Sequence, residues 1–320
     1  PESDAEVEHV VLVGPNNCGK TSVLQAIAAW GFALHRWRLH NQALERQDYK
    51  GKRVWPFHPI TLEQFTPVSV RDFTALWRHR DNAEPISVAV TAGPHRVGMK
   101  FKADANSPFQ MLVRPTNDTT EDAIRNLTLP TLFVPSMTGM QVEEPVLRRP
   151  KIDQFLGRNR PGEVLRNLVA TVAEDAAAWQ RLVDTIRDLF GVEMLRPDAT
   201  GADIVADYRH VGGSTQFDLA SGGSGFQQIV MLLAFLERQE RSVLLLDEPD
   251  AHLHVFLQER IVEVLRSAAA RAGSLFLAAT HSEVILDTVE HDEVYVLLDQ
   301  PKRLVDKADK AVLADALRVI

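Results

Sequence analysis

The chain has 320 residues, of which 45% are hydrophobic, and a formal net charge of −8 at pH 7. A chain of this length and composition can bury a large core, either as one bilobed unit or as two closely joined domains. The negative balance excludes a surface that is basic throughout, so any contact with nucleic acid would have to be local.

The first predicted elements are a strand, a glycine loop and a helix. An apolar run at residues 10–13 leads into Gly14-Pro15-Asn16-Asn17-Cys18-Gly19-Lys20-Thr21, after which apolar residues recur at helical spacing. Backbone N–H groups of such a loop can wrap phosphates, the lysine reaches the β- and γ-phosphate oxygens, and the threonine hydroxyl can hold Mg²⁺. The pattern predicts a nucleoside triphosphate site with these candidate residues: Asn16, Asn17, Gly19, Lys20, Thr21 and Ser22.

An insertion rich in aromatic and charged residues follows at residues 31–60. Residues 36–53 carry six lysines and arginines against two acids. A solvated face explains such a run more often than a phosphate track, so DNA contact is the alternative interpretation. The tryptophans near this run are more often core residues than stacking platforms, and they are Trp30, Trp37, Trp55 and Trp77.

The next predicted elements are short strands and then helices. Residues 68–70, 86–91 and 97–101 alternate between apolar and polar types, which predicts half-buried antiparallel strands of a smaller sheet. Residues 152–190 carry apolar positions at three-to-four spacing, which predicts a helical lobe. A second basic run at residues 148–166 has six lysines and arginines against two acids, and the same two interpretations apply to it.

A loop of serine and glycine precedes a mostly apolar predicted helix. It reads Leu219-Ala220-Ser221-Gly222-Gly223-Ser224-Gly225, and the helix continues through residues 226–233. A Ser-Gly-Gly loop at a helix N-terminus can bind an anion. Taken alone, a loop of this composition is more often a linker.

Two buried strands are predicted to end in polar, chemically active residues. The apolar run at residues 243–246 ends in Asp247-Glu248-Pro249-Asp250, and residues 275–279 end in Thr280-His281-Ser282. Uninterrupted apolar runs are typical of parallel strands buried on both faces, and α/β sheets place their ligands at the carboxyl ends of such strands. Asp247 could then orient Mg²⁺, and Glu248 could polarise an attacking water. The alternative is that these residues only close strands and cap helices.

These four motifs, in this order, resemble the ATPase head of ATP-binding cassette (ABC) proteins. The stretches Asp247-Glu248-Pro249-Asp250-Ala251-His252-Leu253-His254 and Ala279-Thr280-His281-Ser282 are similar to a soluble branch of that group. The branch includes the overcoming-lysogenization-defect (OLD) nucleases and related defence ATPases, with SMC and RecF proteins more distant. The resemblance covers about residues 10–298. It implies an α/β P-loop NTPase fold of ABC ATPase type, with a mainly parallel sheet, a smaller antiparallel sheet and a helical lobe.

The resemblance also implies roles for single residues and a homodimer that shares ATP between two heads. Lys20 and Thr21 of one subunit would hold ATP and Mg²⁺, while Ser221, Gly222 and Gly223 of the other would close on the γ-phosphate. Asp250 would communicate across the interface. Catalysis would rest on Lys20, on Glu248 as the carboxylate and on His281 as the γ-phosphate sensor, with Asp247 at the metal.

One family residue, a glutamine that touches Mg²⁺ and the attacking water, has no clear counterpart in the sequence. Gln64 is the candidate metal ligand, with Asp72 as its rival. The Ser-Gly-Gly loop at residues 219–225, which we call the signature loop, also departs from the usual Leu-Ser-Gly-Gly-Gln pattern of the family. Ala220 precedes its serine, and Ser224 follows its second glycine. The serine and glycine roles do not depend on these two positions.

The resemblance predicts three segments: residues 1–145 as the N-terminal part of the ATPase core with the antiparallel sheet, 146–196 as the helical lobe, and 197–320 as the C-terminal part of the core. In OLD-like relatives a TOPRIM nuclease domain would begin near the end of this chain. That domain needs an Asp-x-Asp pair, which the sequence does not contain. A nuclease effector, or DNA itself, is therefore expected to be a partner rather than a function of these residues.

The predicted function is ATP binding and hydrolysis that drives or regulates DNA processing, in an OLD-like nuclease or an anti-phage defence system. Two alternatives remain: a RecF- or SMC-like DNA repair ATPase, and a low-turnover switch whose ATP-dependent dimerisation regulates an effector. The single Cys18 cannot form an internal disulfide, and no apolar run approaches the ~20 residues needed to cross a bilayer. We therefore expect a cytoplasmic protein with no membrane partner.

Overall fold

The structure, a computed structural model, describes residues 9–41, 46–47, 53–136, 139–158, 160–238, 241–297 and 301–305. Its strands are β1 (His9–Val13), β2 (Arg46–Gln47), β3 (Arg53–Val54), β4 (His58–Thr61), β5 (Ile86–Ala92), β6 (His95–Ala103), β7 (Gln110–Pro115), β8 (Thr131–Val134), β9 (Val192–Met194), β10 (Asp207–His210), β11 (Gln216–Asp218), β12 (Val243–Asp247), β13 (Leu275–Thr280), β14 (Val294–Leu297) and β15 (Pro301–Arg303). Its α-helices are α1 (Lys20–His40), α2 (Glu121–Asn126), α3 (Arg149–Gly157), α4 (Leu165–Ala173), α5 (Ala176–Phe190), α6 (Ser224–Arg238), α7 (Val255–Ala272) and α8 (Glu283–Thr288).

Five short 3-10 helices complete the regular structure of these residues: Phe73–Leu76, Arg78–Arg80, Pro161–Glu163, Leu219–Ser221 and His291–Glu293. The chain divides into two compact units, one formed by residues 1–24 and 132–320 and the other by residues 25–131. The borders predicted at residues 145 and 196 both fall inside the first unit, so the three-part division remains a prediction.

The first unit is built on a six-stranded sheet with the order β15-β14-β1-β13-β12-β8. Strand β1 runs parallel to β13 and β14, and β12 runs parallel to β13. The predicted apolar runs form the centre of this sheet, where residues such as Val13, Leu244 and Leu246 are at most 2% exposed. Such burial on both faces is what a parallel sheet covered by helices requires.

The helical region predicted at residues 152–190 is confirmed as α3, α4 and α5, with a break around Pro161. Asp175 caps α5 by accepting hydrogen bonds from the N–H groups of Ala177 and Ala178, at 2.8 and 2.9 Å. At the other end Gly191 adopts a φ of +66°, a left-handed conformation that favours glycine. Helices α4 and α5 pack against α6, so the helical region supports the helix that follows the signature loop.

The second unit contains a four-stranded antiparallel sheet with the order β4-β7-β6-β5. Its core includes Trp30, Trp37 and Trp55, each 0% exposed, which confirms the prediction that the tryptophans are core residues. Strands were correctly predicted at residues 86–91 and 97–101, but the strand predicted at residues 68–70 is wrong, because that segment is irregular. Pro67 directly precedes it and has no N–H to donate to a ladder.

The predicted fold class is confirmed: an α/β fold with a mainly parallel sheet, a smaller antiparallel sheet and a helical region. Among the described residues, no helix is both long enough and apolar enough to cross a bilayer.

Candidate active site

The glycine loop that begins at Gly14, which we call the phosphate loop, joins β1 to α1, as the sequence predicted. A Cβ atom on Gly14 would lie 2.4 Å from the carbonyl oxygen of Leu297, which is too close for any side chain. Gly19 has a φ of +100°, a conformation that side chains other than hydrogen rarely adopt. The two glycines therefore allow the loop to turn tightly and to present its backbone at the start of α1.

Lys20 lies inside this loop and is 7% exposed. Its Nζ donates hydrogen bonds to the carbonyl oxygens of Gly14 at 2.7 Å and Pro15 at 2.9 Å. Both partners are neutral carbonyls, and a buried ammonium is stabilised far more strongly by an anion than by carbonyl dipoles alone. The loop therefore fits an anionic ligand such as a triphosphate. Asn16, Asn17 and Ser22 are exposed around it.

The strand order brings the acidic motif beside the phosphate loop. Strand β13 lies between β1 and β12, and the register pairs Val13 with Thr280 and Asp247 with Ala279. The carboxyl ends of the three strands therefore form one edge. At this edge the Thr21 hydroxyl donates a hydrogen bond of 2.9 Å to Oδ1 of Asp247, although 226 positions separate the two residues.

The Thr21–Asp247 pair has the chemistry of a magnesium site. Hydroxyl and carboxylate oxygens are the hard ligands that Mg²⁺ prefers. Burial raises the pKa of Asp247, the hydrogen bond from Thr21 lowers it, and the neighbouring Glu248 carboxylate raises it again. A cation at this position would compensate a carboxylate that burial and a like charge both penalise. The described residues contain no cluster of three or more His, Cys, Asp and Glu side chains that could hold a metal by themselves. Protein-bound Mg²⁺ usually keeps several waters and takes its other ligands from one or two side chains and substrate phosphates.

Glu248 is held in an unusual backbone conformation directly after β12. Its φ is +48°, which is uncommon for a residue other than glycine and costs on the order of 1 kcal/mol or more. The surrounding structure fixes it, since its N–H donates to the carbonyl of Ala279 at 2.8 Å. Its Oε1 lies 3.5 Å from Nδ1 of His281, and both side chains remain partly exposed. The two predicted catalytic side chains are therefore adjacent at the ligand edge.

Asp250 lies deeper than its predicted role suggested. It is 4% exposed, and its Oδ1 accepts a hydrogen bond of 2.7 Å from the hydroxyl of Thr280 in the same chain. Burial raises the pKa of Asp250, and the Thr280 hydrogen bond lowers it. Asp250 thus links the loop after β12 to the end of β13, one residue before His281.

The signature loop is organised from within its own chain but presents its serine outward. Gln227 of α6 donates hydrogen bonds from Nε2 to the carbonyls of Ala220 at 3.1 Å and Gly222 at 2.9 Å. Ser221 is exposed and donates only to the carbonyl of Asp218, at 2.6 Å. Gly223 is exposed as well. The loop is therefore shaped in advance, with its predicted binding residues on the surface.

Arg166 is a buried residue whose contacts the sequence did not reveal. It belongs to the second basic run but is 1% exposed, so it cannot take part in a surface contact with DNA. Its guanidinium donates to Oδ1 of Asp218 at 2.7 Å and to the carbonyl of Gln141 at 2.9 Å. Asp218 in turn accepts the N–H of Ala220 at 2.7 Å, so Arg166 braces the residue that caps the signature loop.

Glu144 completes this buried network. Its carboxylate accepts the backbone N–H groups of Arg166 at 2.9 Å and Asn167 at 2.6 Å, at the start of α4. Its Oε2 also lies 3.9 Å from the Arg166 guanidinium. Burial raises the pKa of Glu144, while the hydrogen bonds and the Arg166 charge lower it. The side chains of Glu144 and Arg166 are only 0% and 2% exposed, so the buried Glu144 charge depends on Arg166 for compensation.

Other cations of the two basic runs are also engaged within the protein. In the second run, Arg149 pairs with Glu174 at 2.6 Å, and Arg160 pairs with Glu163. In the first run, Arg38 donates to the carbonyl of Leu127 at 2.7 Å, and burial lowers its pKa. Lys50 and Lys52 lie outside the described residues.

The two candidates for the missing glutamine both lie in the second unit. Oε1 of Gln64 accepts the N–H of Thr61 at 3.2 Å within its own turn. Asp72 caps the 3-10 helix Phe73–Leu76 and accepts from Nη1 of Arg80 at 3.2 Å. A metal role for Gln64 remains a prediction.

Comparisons with known proteins find one family model and several solved structures that are similar to this chain. Residues 135–287 match the family model described as "AAA domain, putative AbiEii toxin, Type IV TA system". That segment includes the signature loop, the acidic strand end and His281, but not the phosphate loop. No curated protein matches the sequence.

Several solved SMC head structures are similar to the chain. An SMC head bound to the C-terminal winged-helix domain of ScpA is 14% identical, covers 94% of this chain and 91% of its own, and has a TM-score of 0.48. The SMC head domain from Thermotoga maritima is 15% identical, covers 92% and 88%, and has a TM-score of 0.45. The described residues thus combine an α/β fold with a glycine loop, an acidic strand end and a histidine at one edge of the parallel sheet.

Proposed function

We propose that this chain binds ATP with Mg²⁺ and hydrolyses it in a site completed by a second copy of the chain. The observation that carries the proposal is the hydrogen bond between Thr21 and Asp247, with Glu248 and His281 beside it. Phosphate loop, metal-binding oxygens and a candidate base thus converge at the carboxyl ends of three neighbouring strands, where α/β folds place their ligands.

In the proposed reaction, the loop N–H groups and Lys20 bind the phosphates and stabilise the charge on the oxygens of the γ-phosphoryl group during its transfer. Bound Mg²⁺ would neutralise charge shared by the β- and γ-phosphates. Glu248 accepts a hydrogen bond from the attacking water, and later its proton, as the water oxygen bonds to the γ-phosphorus and the bond from that phosphorus to the bridging oxygen of ADP breaks. His281, 3.5 Å from that carboxylate, is placed to donate to the γ-phosphate.

Dimerisation is the second part of the proposal. Ser221 and Gly223 lie on the surface, and Gln227 and Asp218 hold the loop from behind. An outward-facing Ser-Gly-Gly loop at the N-terminus of the 15-residue helix α6 suits the γ-phosphate of an ATP held by another copy. The buried hydrogen bond from Thr280 suggests that Asp250 acts through its own chain, by positioning the segment that carries His281.

We further propose that ATP-driven closure regulates a partner in DNA processing or in a defence system. The toxin–antitoxin description of the matched family favours control of an effector over a repair function. The low-turnover switch stays the second candidate, since pre-shaped loops on an exposed surface suit ATP-dependent closure as well as they suit rapid hydrolysis. Turnover measured with and without DNA separates the two, because a switch would stay slow in both conditions.

Substitution of Ser221 by arginine tests the shared site. We expect Ser221→Arg to reduce ATP hydrolysis at least about tenfold, because a bulky side chain would occupy the place of the γ-phosphate of the neighbouring subunit. ATP affinity of the single subunit should change little, because Lys20 and Thr21 are untouched. Ser267→Arg, at an exposed position of α7, is the matched control and should hydrolyse ATP normally. Normal hydrolysis by Ser221→Arg would exclude the shared site.

A further inference from the structure

The antiparallel sheet of the second unit has one buried face and one exposed face. In β6 the core side carries Val97, Met99 and Phe101, which are at most 3% exposed. The intervening residues point to the other side, since neighbouring residues of a strand alternate between faces. On β5 the corresponding residues Ser87, Ala89 and Thr91 are exposed. The outer face is therefore open to solvent along β5, while Gly98 is buried and Lys100 and Arg114 are partly exposed.

Four cations lie on this outer face. Three belong to β6, where Arg96, Lys100 and Lys102 share the outward parity. The fourth is Arg114 of β7, which the register places directly opposite Lys100. Strand geometry separates Lys100 from Lys102 by about 7 Å and from Arg114 by about 5 Å. We call these four residues the basic sheet face.

Little negative charge balances the basic sheet face. Strands β4 to β7 contain no aspartate or glutamate. Arg96 has an ion pair of 3.6 Å with Asp118, but both side chains are more than half exposed, so solvent screens the pair. At the opposite end, Asp104 accepts the N–H of Asn106 within its own turn. Within the described ranges, neither Lys100 nor Lys102 forms an ion pair. Asp118 is the acid that pairs with a cation of this face, within the same ranges.

Arg114, one of the four residues of the basic sheet face, packs against an aromatic ring. Its guanidinium carbon lies 4.5 Å from the centroid of the Phe57 ring, a cation–π contact that fixes the planar group in place. Burial lowers the pKa of Arg114, so desolvation acts on this charge with no carboxylate to offset it. Its Nε has no hydrogen-bond partner among the residues the structure describes. Because that Nε is buried, an external anion would meet the terminal nitrogens of the guanidinium.

We propose that the basic sheet face binds the sugar-phosphate backbone of duplex DNA, without sequence preference. Closely spaced cations on a flat surface match a polymer that carries about one negative charge per 1.7 Å of axis. An anionic membrane fits less well, because surface-binding proteins also insert apolar side chains. On this face the exposed ring of Phe57 lies under the Arg114 guanidinium. This face is the more notable because the chain as a whole carries a net charge of −8.

The inference adds a DNA-binding surface to the proposed function, and its biological meaning rests on that function. DNA binding itself does not depend on ATP hydrolysis. The four cations belong to the second unit and take no part in the phosphate loop, so duplex DNA should bind equally well to native protein and to Lys20→Ala without nucleotide. Absence of ATP hydrolysis by the native protein, with DNA binding present, would count against the ATPase proposal alone. Hydrolysis by the native protein without DNA binding would count against this inference alone.

The test compares two triple variants in binding a fluorescently labelled duplex of random sequence at several salt concentrations. Lys100→Gln/Lys102→Gln/Arg114→Gln removes three cations of the face. The matched control, Lys151→Gln/Arg158→Gln/Arg260→Gln, removes three exposed cations of the first unit. We expect the first variant to bind at least about tenfold more weakly at low salt and to lower the salt slope by about three, near one per phosphate contact. The control should bind like native protein.

Three outcomes would overturn the proposal. Unchanged affinity of the sheet variant, or an equal loss in the control, would show that binding is not located on this face. Absence of DNA binding by the native protein at low salt, together with binding to phosphatidylserine vesicles, would assign the face to a membrane surface instead. ATP hydrolysis and circular dichroism of the sheet variant establish that it is folded, since none of its residues belongs to the ATPase site.

Discussion

Glu248→Gln is expected to slow ATP hydrolysis by about a hundredfold or more, while ATP binding persists. Glutamine keeps the size of the side chain but cannot accept a proton from the attacking water. The left-handed backbone of Glu248 and its hydrogen bond to Ala279 do not depend on the carboxylate, so the loop should keep its shape. Single-turnover hydrolysis and equilibrium binding of ATP, measured on the same preparation, separate the two effects.

Lys20→Ala provides the contrasting phenotype. It removes the buried ammonium that donates to the loop carbonyls and that we propose binds the β- and γ-phosphates, so nucleotide binding itself should be lost. Glu259→Gln, an exposed carboxylate of α7, serves as the control and should leave both properties unchanged. If Glu248→Gln hydrolysed ATP at the native rate, the assignment of the catalytic carboxylate would be wrong.

Arg166→Gln is expected to lower the free energy of unfolding by about 3–5 kcal/mol, the usual cost of leaving a buried charge without its partner. The carboxylate of Glu144 is fully buried, and Asp218 would lose the contact that braces the signature loop. Urea unfolding followed by circular dichroism measures the loss. We expect reduced hydrolysis as well, because the loop that should meet the neighbouring ATP would be less well positioned.

Two further variants separate this effect from the mere removal of a positive charge. Arg149→Gln removes an arginine of the same basic run, but its pair with Glu174 is more than 60% exposed on both sides, so the loss should stay below about 1 kcal/mol. Arg166→Lys keeps the charge but lacks the planar fork, and should fall between the two. Equal stability of the Arg149 and Arg166 variants would contradict the bracing role.

The sequence was most informative where function depends on local order along the chain. The phosphate loop and the acidic strand end each consist of a strand followed at once by its polar residues, so element and chemistry could be predicted together. Placing Thr21 beside Asp247 required only the rule that parallel strands bring their carboxyl ends to one edge. The exposure of Ser221 likewise follows from a glycine-rich loop at a helix N-terminus.

Burial was less predictable, because a charged residue carries no local sign of its environment. Arg166 was predicted to be part of a surface run. Its partner Asp218 lies 52 positions away, so the contact between them exists only in the folded chain. The depth of Asp250 has the same origin, since Thr280 is brought to it by sheet register. The basic sheet face was partly readable from the spacing of Lys100 and Lys102, whereas Arg114 joins it only through the pairing of β6 with β7.

The mass of the Glu248→Gln protein in solution, measured by light scattering with Mg²⁺ and ATP, tests the central claim most directly. This variant should hold ATP without cleaving it, so the account predicts a dimer with two bound nucleotides, and a monomer with Ser221→Arg added. A Glu248→Gln protein that binds ATP but remains monomeric at high concentration would contradict an ATPase whose site is shared between two copies of this chain.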